Sequence, residues 1–298
     1  MSLVTDWATS QGFAASWQLV RRMPEPAAYR LFDRISDQLW ERGDAGVDQL
    51  EKNLMRVHPD YSALELRELS RTGMRSYMRY WCEAFRLPSW SPSRISDYFF
   101  LERHEFLDAA LESGRGAIMV PGHMGNWDHA GAWAALRYGG LTTVAERLKP
   151  EKLFDQFLAY REGMGFEVLP LGDSDVVRTL ARRLKEGKLV ALLGDRDLRG
   201  SGVAVDFFGE SASMPGGPAV LALLTGAPLH PVSLWYDGER ATGYVHDEVK
   251  VPASGTREEK VAVMTQQIAN ALELGIREHS DDWHMLQKVW WSDIEGQR

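Results

Sequence analysis

The chain carries a histidine five residues before an aspartate, in the run Pro121-Gly122-His123-Met124-Gly125-Asn126-Trp127-Asp128-His129. The uncharged residues 116–120 before it read as a buried strand, and residues 127–137 after it read as a helix. Open α/β sheets form their sites in this place, outside the carboxyl ends of strands. His123 has the chemistry of a general base at neutral pH, and Asp128 is a candidate to orient its ring. Spacing limits that pairing. Residues i and i+5 on a helix point about 140° apart, so Asp128 reaches His123 only if His123 lies in the turn before the helix. Otherwise the carboxylate comes from another strand end. Residues 188–193 supply one, running into Gly194-Asp195-Arg196-Asp197, where two acids flank an arginine and suit a histidine partner or an anion.

A third strand end carries Glu146, Arg147 and Lys149, with basic side chains for phosphate and an acid to pair with them. Arg161, Arg182 and Arg183 are further basic candidates for a coenzyme phosphate. Backbone N–H groups within residues 122–125 are candidates for holding a developing oxyanion. The spacing of His123, Asp128 and His129 is not that of a metal-binding H-E-x-x-H pair, and no metal is expected. There is no phosphate-binding Walker loop and no G-x-S-x-G elbow. Thr256-Arg257-Glu258-Glu259 reads as a capping box opening a helix to about residue 278.

These residues need a frame. From residue 101 onward short apolar strands alternate with helices: strands at 116–120, 141–146, 167–171, 188–193, 203–208, 229–236 and 241–249, helices at 104–113, 127–137, 150–163, 175–185 and 217–225. That alternation predicts an α/β fold, a central mostly parallel or mixed sheet flanked by helices. Residues 1–100 read as helical, with an apolar stripe at Ala28, Leu31, Phe32, Ile35 and Leu39. Residues 88–100 read as a link, giving a helical region 1–100 and a core 101–298 within one compact unit. Residues 214–236 are uncharged but hold four prolines and His230, so they read as helix, turn and strand, not as a membrane span.

Composition narrows the classes. The chain has 298 residues, 44% hydrophobic and 26% charged, which is globular. Its net charge of −8 gives no bulk electrostatic attraction for nucleic acid. The single Cys82 excludes an internal disulfide framework. Eleven tryptophans, five of them before residue 91, favour a water–apolar boundary and bring a lipid surface into view. Residues 1–40 carry four arginines and four acids, so attachment there through Trp7, Phe13, Trp17 and the stripe would rest on apolar burial. The start of the chain, with Asp6 and no basic cluster, does not read as a cleaved secretory signal.

Taken in order, the blocks resemble the bacterial lipid A lauroyl/myristoyl acyltransferases, within the wider glycerolipid acyltransferases that carry H-x4-D/E. His123 and Asp128 match that motif, while Glu146-Arg147 and Asp195-Arg196-Asp197 match the second and third blocks. Residues 205–209, 214–218 and Pro231-Val232 match the downstream pattern, and the resemblance runs over most of 25–295. The helical start and residues 146–165 are most similar to the actinobacterial branch that acylates phosphatidylinositol mannosides. The resemblance implies transfer of a long acyl chain, typically palmitoyl from palmitoyl-CoA, to the 6-hydroxyl of a mannose on a mannosylated phosphatidylinositol. Acyl-CoA is then a co-substrate, no cofactor is required, and the enzyme is peripheral on the cytoplasmic face of the inner membrane. It implies His123 as base with Asp197 as its acid, and Asp128 beside them. Glu146, Arg147, Arg161, Asp195 and Arg196 would contact substrate. The alternatives are another glycolipid or lipid A-like acceptor, or a thioesterase using the same histidine on water.

Overall fold

The structure, a computed structural model, describes residues 17–146, 158–197 and 200–295. Its strands are β1 Phe99–Glu102, β2 Ala117–Pro121, β3 Leu141–Ala145, β4 Phe166–Pro170, β5 Leu189–Ala191, β6 Val203–Phe207, β7 Glu210–Met214, β8 Leu229–Asp237 and β9 Arg240–Val245. Seven of them form one sheet in the order β1-β9-β8-β2-β5-β3-β4, and β6 and β7 form a separate hairpin. Within the large sheet β8 and β9 pair antiparallel and the remaining neighbours pair parallel. Every residue of β2 and β5 is buried, as expected of central strands covered on both faces.

The helices are α1 Glu25–Arg42, α2 Ala45–Val57, α3 Ala63–Arg86, α4 Pro92–Asp97, α5 Glu105–Glu112, α6 Trp127–Tyr138, α7 Val176–Lys185, α8 Gly217–Thr225, α9 Arg257–Glu278 and α10 Trp291–Glu295. Residues 17–22 and 158–162 are also helical. α8 packs between α7 and α9 against β2 and β8, while α5 and α6 cover other parts of the sheet. The Thr256 box caps α9 as read, and Ser62 with Glu65 caps α3 in the same way. Residues 214–236 divide into the end of β7, α8, a left-handed Gly226 and β8. No described helix is long and apolar enough to cross a membrane.

Three expectations change. Residues 99–102 are not link but an edge strand, paired parallel with β9, so residue 100 lies inside the sheet. The stripe on α1 is largely a packing surface: Ala28 and Phe32 are buried in a small core with Val20 and Cys82. Leu31 stands at its edge, 36% exposed. Trp17 is buried too, donating its Nε1–H to the Phe85 carbonyl at 2.7 Å. Trp7 and Phe13 lie outside the described residues.

α9 comes close to β8 because residue 275 is glycine. A Cβ there would stand 1.8 Å from Ser233 Oγ, which is hydrogen-bonded to His246 Nε2 at 2.8 Å. Gly275→Ala should therefore destabilise the fold by about 1–3 kcal/mol through overpacking. Urea unfolding measures it, and an unchanged midpoint would show that the helix can shift freely here.

Candidate active site

β2 and β5 lie side by side, and their pairing runs past the strands to the site. Leu192 N–H donates to the Met119 carbonyl at 3.0 Å, and Gly194 N–H to the Pro121 carbonyl at 2.9 Å. A Cβ on Gly194 would sit 2.3 Å from Val120 Cγ1, so this approach requires glycine. It brings Asp195 to the turn that carries His123.

Asp195 is fully buried and collects three N–H groups. His123 Nδ1 lies 2.6 Å from its Oδ1, and the His123 backbone N–H donates to its Oδ2 at 2.8 Å. Trp283 Nε1–H donates to the same Oδ2 at 3.0 Å. Burial pushes the Asp195 carboxyl upward, but the adjacent His123 charge and these N–H donors outweigh it, and the group lies below its ordinary value. Asp195 is therefore a carboxylate and acts as the acceptor for His123 Nδ1–H. In the neutral imidazole that network places the proton on Nδ1 and the lone pair on Nε2. Nε2 makes no hydrogen bond to the described residues, and the His123 side chain is 20% exposed.

A second cluster holds the other end of the motif. Asp128, in the first turn of α6, is buried and takes a fork from Arg161: Nε to Oδ1 at 2.9 Å and Nη2 to Oδ2 at 3.2 Å. Tyr80 O–H donates to its Oδ2 at 2.9 Å, and the Tyr80 ring stacks on Trp127 with centroids 3.9 Å apart. Burial disfavours the Arg161 charge, and Asp128 more than restores it. Asn126 caps α6 through the His129 N–H at 2.9 Å and is itself fixed by Glu83 on α3, 2.7 Å from its Nδ2.

The profile of the family of bacterial lipid A biosynthesis acyltransferases matches residues 2–292. A phosphatidylinositol mannoside acyltransferase of Mycolicibacterium smegmatis is 43% identical over 292 residues, covering 97% of this chain and 94% of that protein. One of Mycobacterium tuberculosis is 42% identical over 301 residues, covering 100% and 93%. The chain belongs to the bacterial lipid A biosynthesis acyltransferase family. It is an acyltransferase.

In this acyltransferase His123 does lie in the turn before the helix, yet Asp128 turns away to Tyr80 and Arg161. The ring carboxylate is that of Asp195, not Asp197. Asp197 accepts instead from Gly202 N–H at 2.6 Å and Ser213 Oγ–H at 2.8 Å, because three residues beyond the close approach the chain has turned toward the β6–β7 hairpin. Asp195 is enclosed and offers no surface to a substrate. Arg161 forks onto Asp128 through Nε and Nη2, and its side chain is 19% exposed. Arg183 is likewise paired with Glu167 at 2.5 Å, and Arg182 lies 3.9 Å from Glu186. Arg196 is half-buried near Tyr77 and Glu146 is exposed at the end of β3. Arg147 and Lys149 lie outside the described residues. Of the 122–125 backbone, the His123, Met124 and Gly125 N–H groups are committed to Asp195, the Gly122 carbonyl and the Asp282 carbonyl. Among the described residues no three His, Cys, Asp or Glu side chains converge to hold a metal ion.

Sequence reading missed residues 280–284. Gly125 N–H donates to the Asp282 carbonyl at 2.9 Å and His284 N–H to the His123 carbonyl at 2.8 Å, so this segment pairs with the His123 turn. Three acidic or histidine side chains beside a tryptophan after a long helix were the available signal. Asp282 accepts from Ser76 Oγ–H and from Tyr236 N–H at 2.8 Å, and Ser76 Oγ lies 2.8 Å from His284 Nε2. Burial pushes His284 down to about 3 and Asp282 up to about 6.

The Asp282 value gives a pH test. The native state holds this proton more tightly than the unfolded chain, whose aspartate titrates near 4, so stability contributed here falls as pH rises from about 4 to about 6. Asp282→Asn removes the buried charge. Its unfolding free energy relative to the parent should improve by about 1–3 kcal/mol between pH 4.5 and 7.5. Urea titrations at both pH values measure this, and a pH-independent difference would refute the burial of an ionised Asp282.

Proposed function

We propose that this acyltransferase moves a long acyl chain, palmitoyl, from acyl-CoA to the 6-hydroxyl of a mannose on a phosphatidylinositol mannoside, with His123 as general base. The acceptor follows from the names of the mycobacterial relatives, which match nearly end to end. The observation that carries the chemistry is the His123–Asp195 pair at the strand ends, with Nε2 left to face a substrate.

A sugar hydroxyl is a weak nucleophile at neutral pH, whereas a thioester is already activated. In this reading His123 Nε2 takes the hydroxyl proton as the oxygen attacks the thioester carbonyl. The new C–O ester bond forms, the C–S bond breaks, and the imidazolium returns the proton to the departing sulfur. Asp195 stays ionised throughout, holding Nδ1–H and stabilising the imidazolium charge. No covalent enzyme intermediate and no metal is required. Arg196 and Arg147 are the basic side chains proposed to meet phosphates, and Glu146 is proposed to contact substrate.

His123→Ala should lower turnover about 10²–10⁴-fold with its circular dichroism unchanged. Asp195→Asn should lose a comparable amount, since an amide N–H facing the ring forces the proton onto Nε2. The assay is labelled palmitoyl-CoA with a panel of glycolipids, products identified by mass. Near-parental transfer by His123→Ala would end the base reading, and free fatty acid without acylated lipid would mark a thioesterase.

A lipid acceptor places the enzyme on a membrane surface, on the cytoplasmic leaflet where acyl-CoA is available. Trp7 and Phe13 remain the aromatic candidates for insertion, with Leu19, 62% exposed, following them. A buried large apolar side chain contributes roughly 1.5–3 kcal/mol, so a few suffice for reversible attachment. Trp7→Ser/Phe13→Ser/Leu19→Ser should sediment less with phospholipid vesicles at both low and high salt. Equal sedimentation would exclude this attachment, and release of the parent by salt alone would point to a basic surface instead.

A further inference from the structure

We infer that Trp283 is a positioning residue for acyl transfer, its Nε1–H fixing the Asp195 carboxylate in the orientation that serves His123. This role rests on His123 acting as the base. Trp283 is fully buried, and its indole is held on two sides. Its main chain pairs with the His123 turn through the Asp282 carbonyl and the His284 N–H. Its ring packs edge-on against Phe207 and Trp290, with centroids 6.1 and 6.2 Å away. A tryptophan serving packing alone needs its N–H matched to any acceptor. Here that single donor meets Oδ2 of the carboxylate whose Oδ1 holds the histidine ring.

The division of oxygens matters. With the Trp283 and His123 backbone N–H groups on Oδ2, the carboxylate plane is fixed and Oδ1 is reserved for Nδ1. Without the indole donor, a buried oxygen keeps one partner and the carboxylate is free to rotate about its Cβ–Cγ bond. Hydrogen bonds to ionised groups are the strong ones, and a buried charge that loses a donor is costly. A carboxylate with one fewer donor also holds the proton it shares with His123 more tightly. Among the described residues His284, which burial keeps neutral, is in electrostatic contact with both members of the pair.

Trp283→Phe removes the donor and retains an aromatic ring. Measured with palmitoyl-CoA and a phosphatidylinositol mannoside, kcat should fall about 10-fold or more. KM for palmitoyl-CoA should hold, and the acidic limb of the kcat/KM profile should move to higher pH. A drop in kcat with an unmoved limb would mean a structural role only and would overturn the proposal, as would a parental kcat. If Trp283→Phe does not fold, β-(3-benzothienyl)alanine at position 283, with sulfur replacing N–H in the same shape, decides by the same two criteria. His123→Ala assayed alongside separates the failures. An inactive His123→Ala with a silent Trp283 replacement overturns the tryptophan's role alone, whereas an active His123→Ala overturns the base.

Discussion

The constraint on which the rest of the site depends is the enclosure of the Asp195 carboxylate. A charge removed from water persists only where its lone pairs are filled, and the donors that fill them come from two distant parts of the chain. β2 delivers His123 by running parallel to β5, and residues 280–284 deliver the indole by pairing with the turn. That segment is fixed in turn by the helical first third. Asn53 on α2 donates to the Met285 and Gln287 carbonyls at 2.7 and 2.9 Å, and Ser76 on α3 bonds Asp282. The N-terminal helices are thus part of what holds the histidine still.

The H-x4-D motif ties one turn in two directions. His123 goes to the β5 strand end, while Asp128 goes to α3 and Arg161. Asn126, between them, is fixed by Glu83, whose oxygens also accept from Tyr29 at 2.9 Å, Arg79 at 2.8 Å and Tyr236 at 3.1 Å. Glu83, Asn126 and Asp128 each enter this interior with partners, which limits the freedom of the turn.

How much of this was legible depends on the range of the interaction. The strand before His123, the turn, the helix after it and the acids at residues 195 and 197 follow from local pattern. Which acid faces inward does not, because it is decided where Gly194 meets Val120, a contact between strands distant in sequence. The apolar stripe on α1 shows which face must be covered but not what covers it, and α3 does so. The tryptophan excess suggested a lipid boundary, yet every described tryptophan is buried or half-buried. Trp17, Trp40, Trp283 and Trp290 satisfy their N–H groups inside the protein, at Phe85, Ser70, Asp195 and Phe207. Composition registers the amphipathic ring and says nothing of where its polar edge finds a partner.

The Asn53–Met285 bond joins residues 232 apart, and the Trp283–Asp195 bond joins residues 88 apart. During synthesis the sheet strands and His123 leave the ribosome well before the segment that locks them. Until then, the first helices present an unfilled seat and Asp195 lacks one of its donors. The reactive constellation therefore cannot be complete until residues 280–284 have joined it, and a nascent chain carries the parts of an acyltransferase before it has one's geometry.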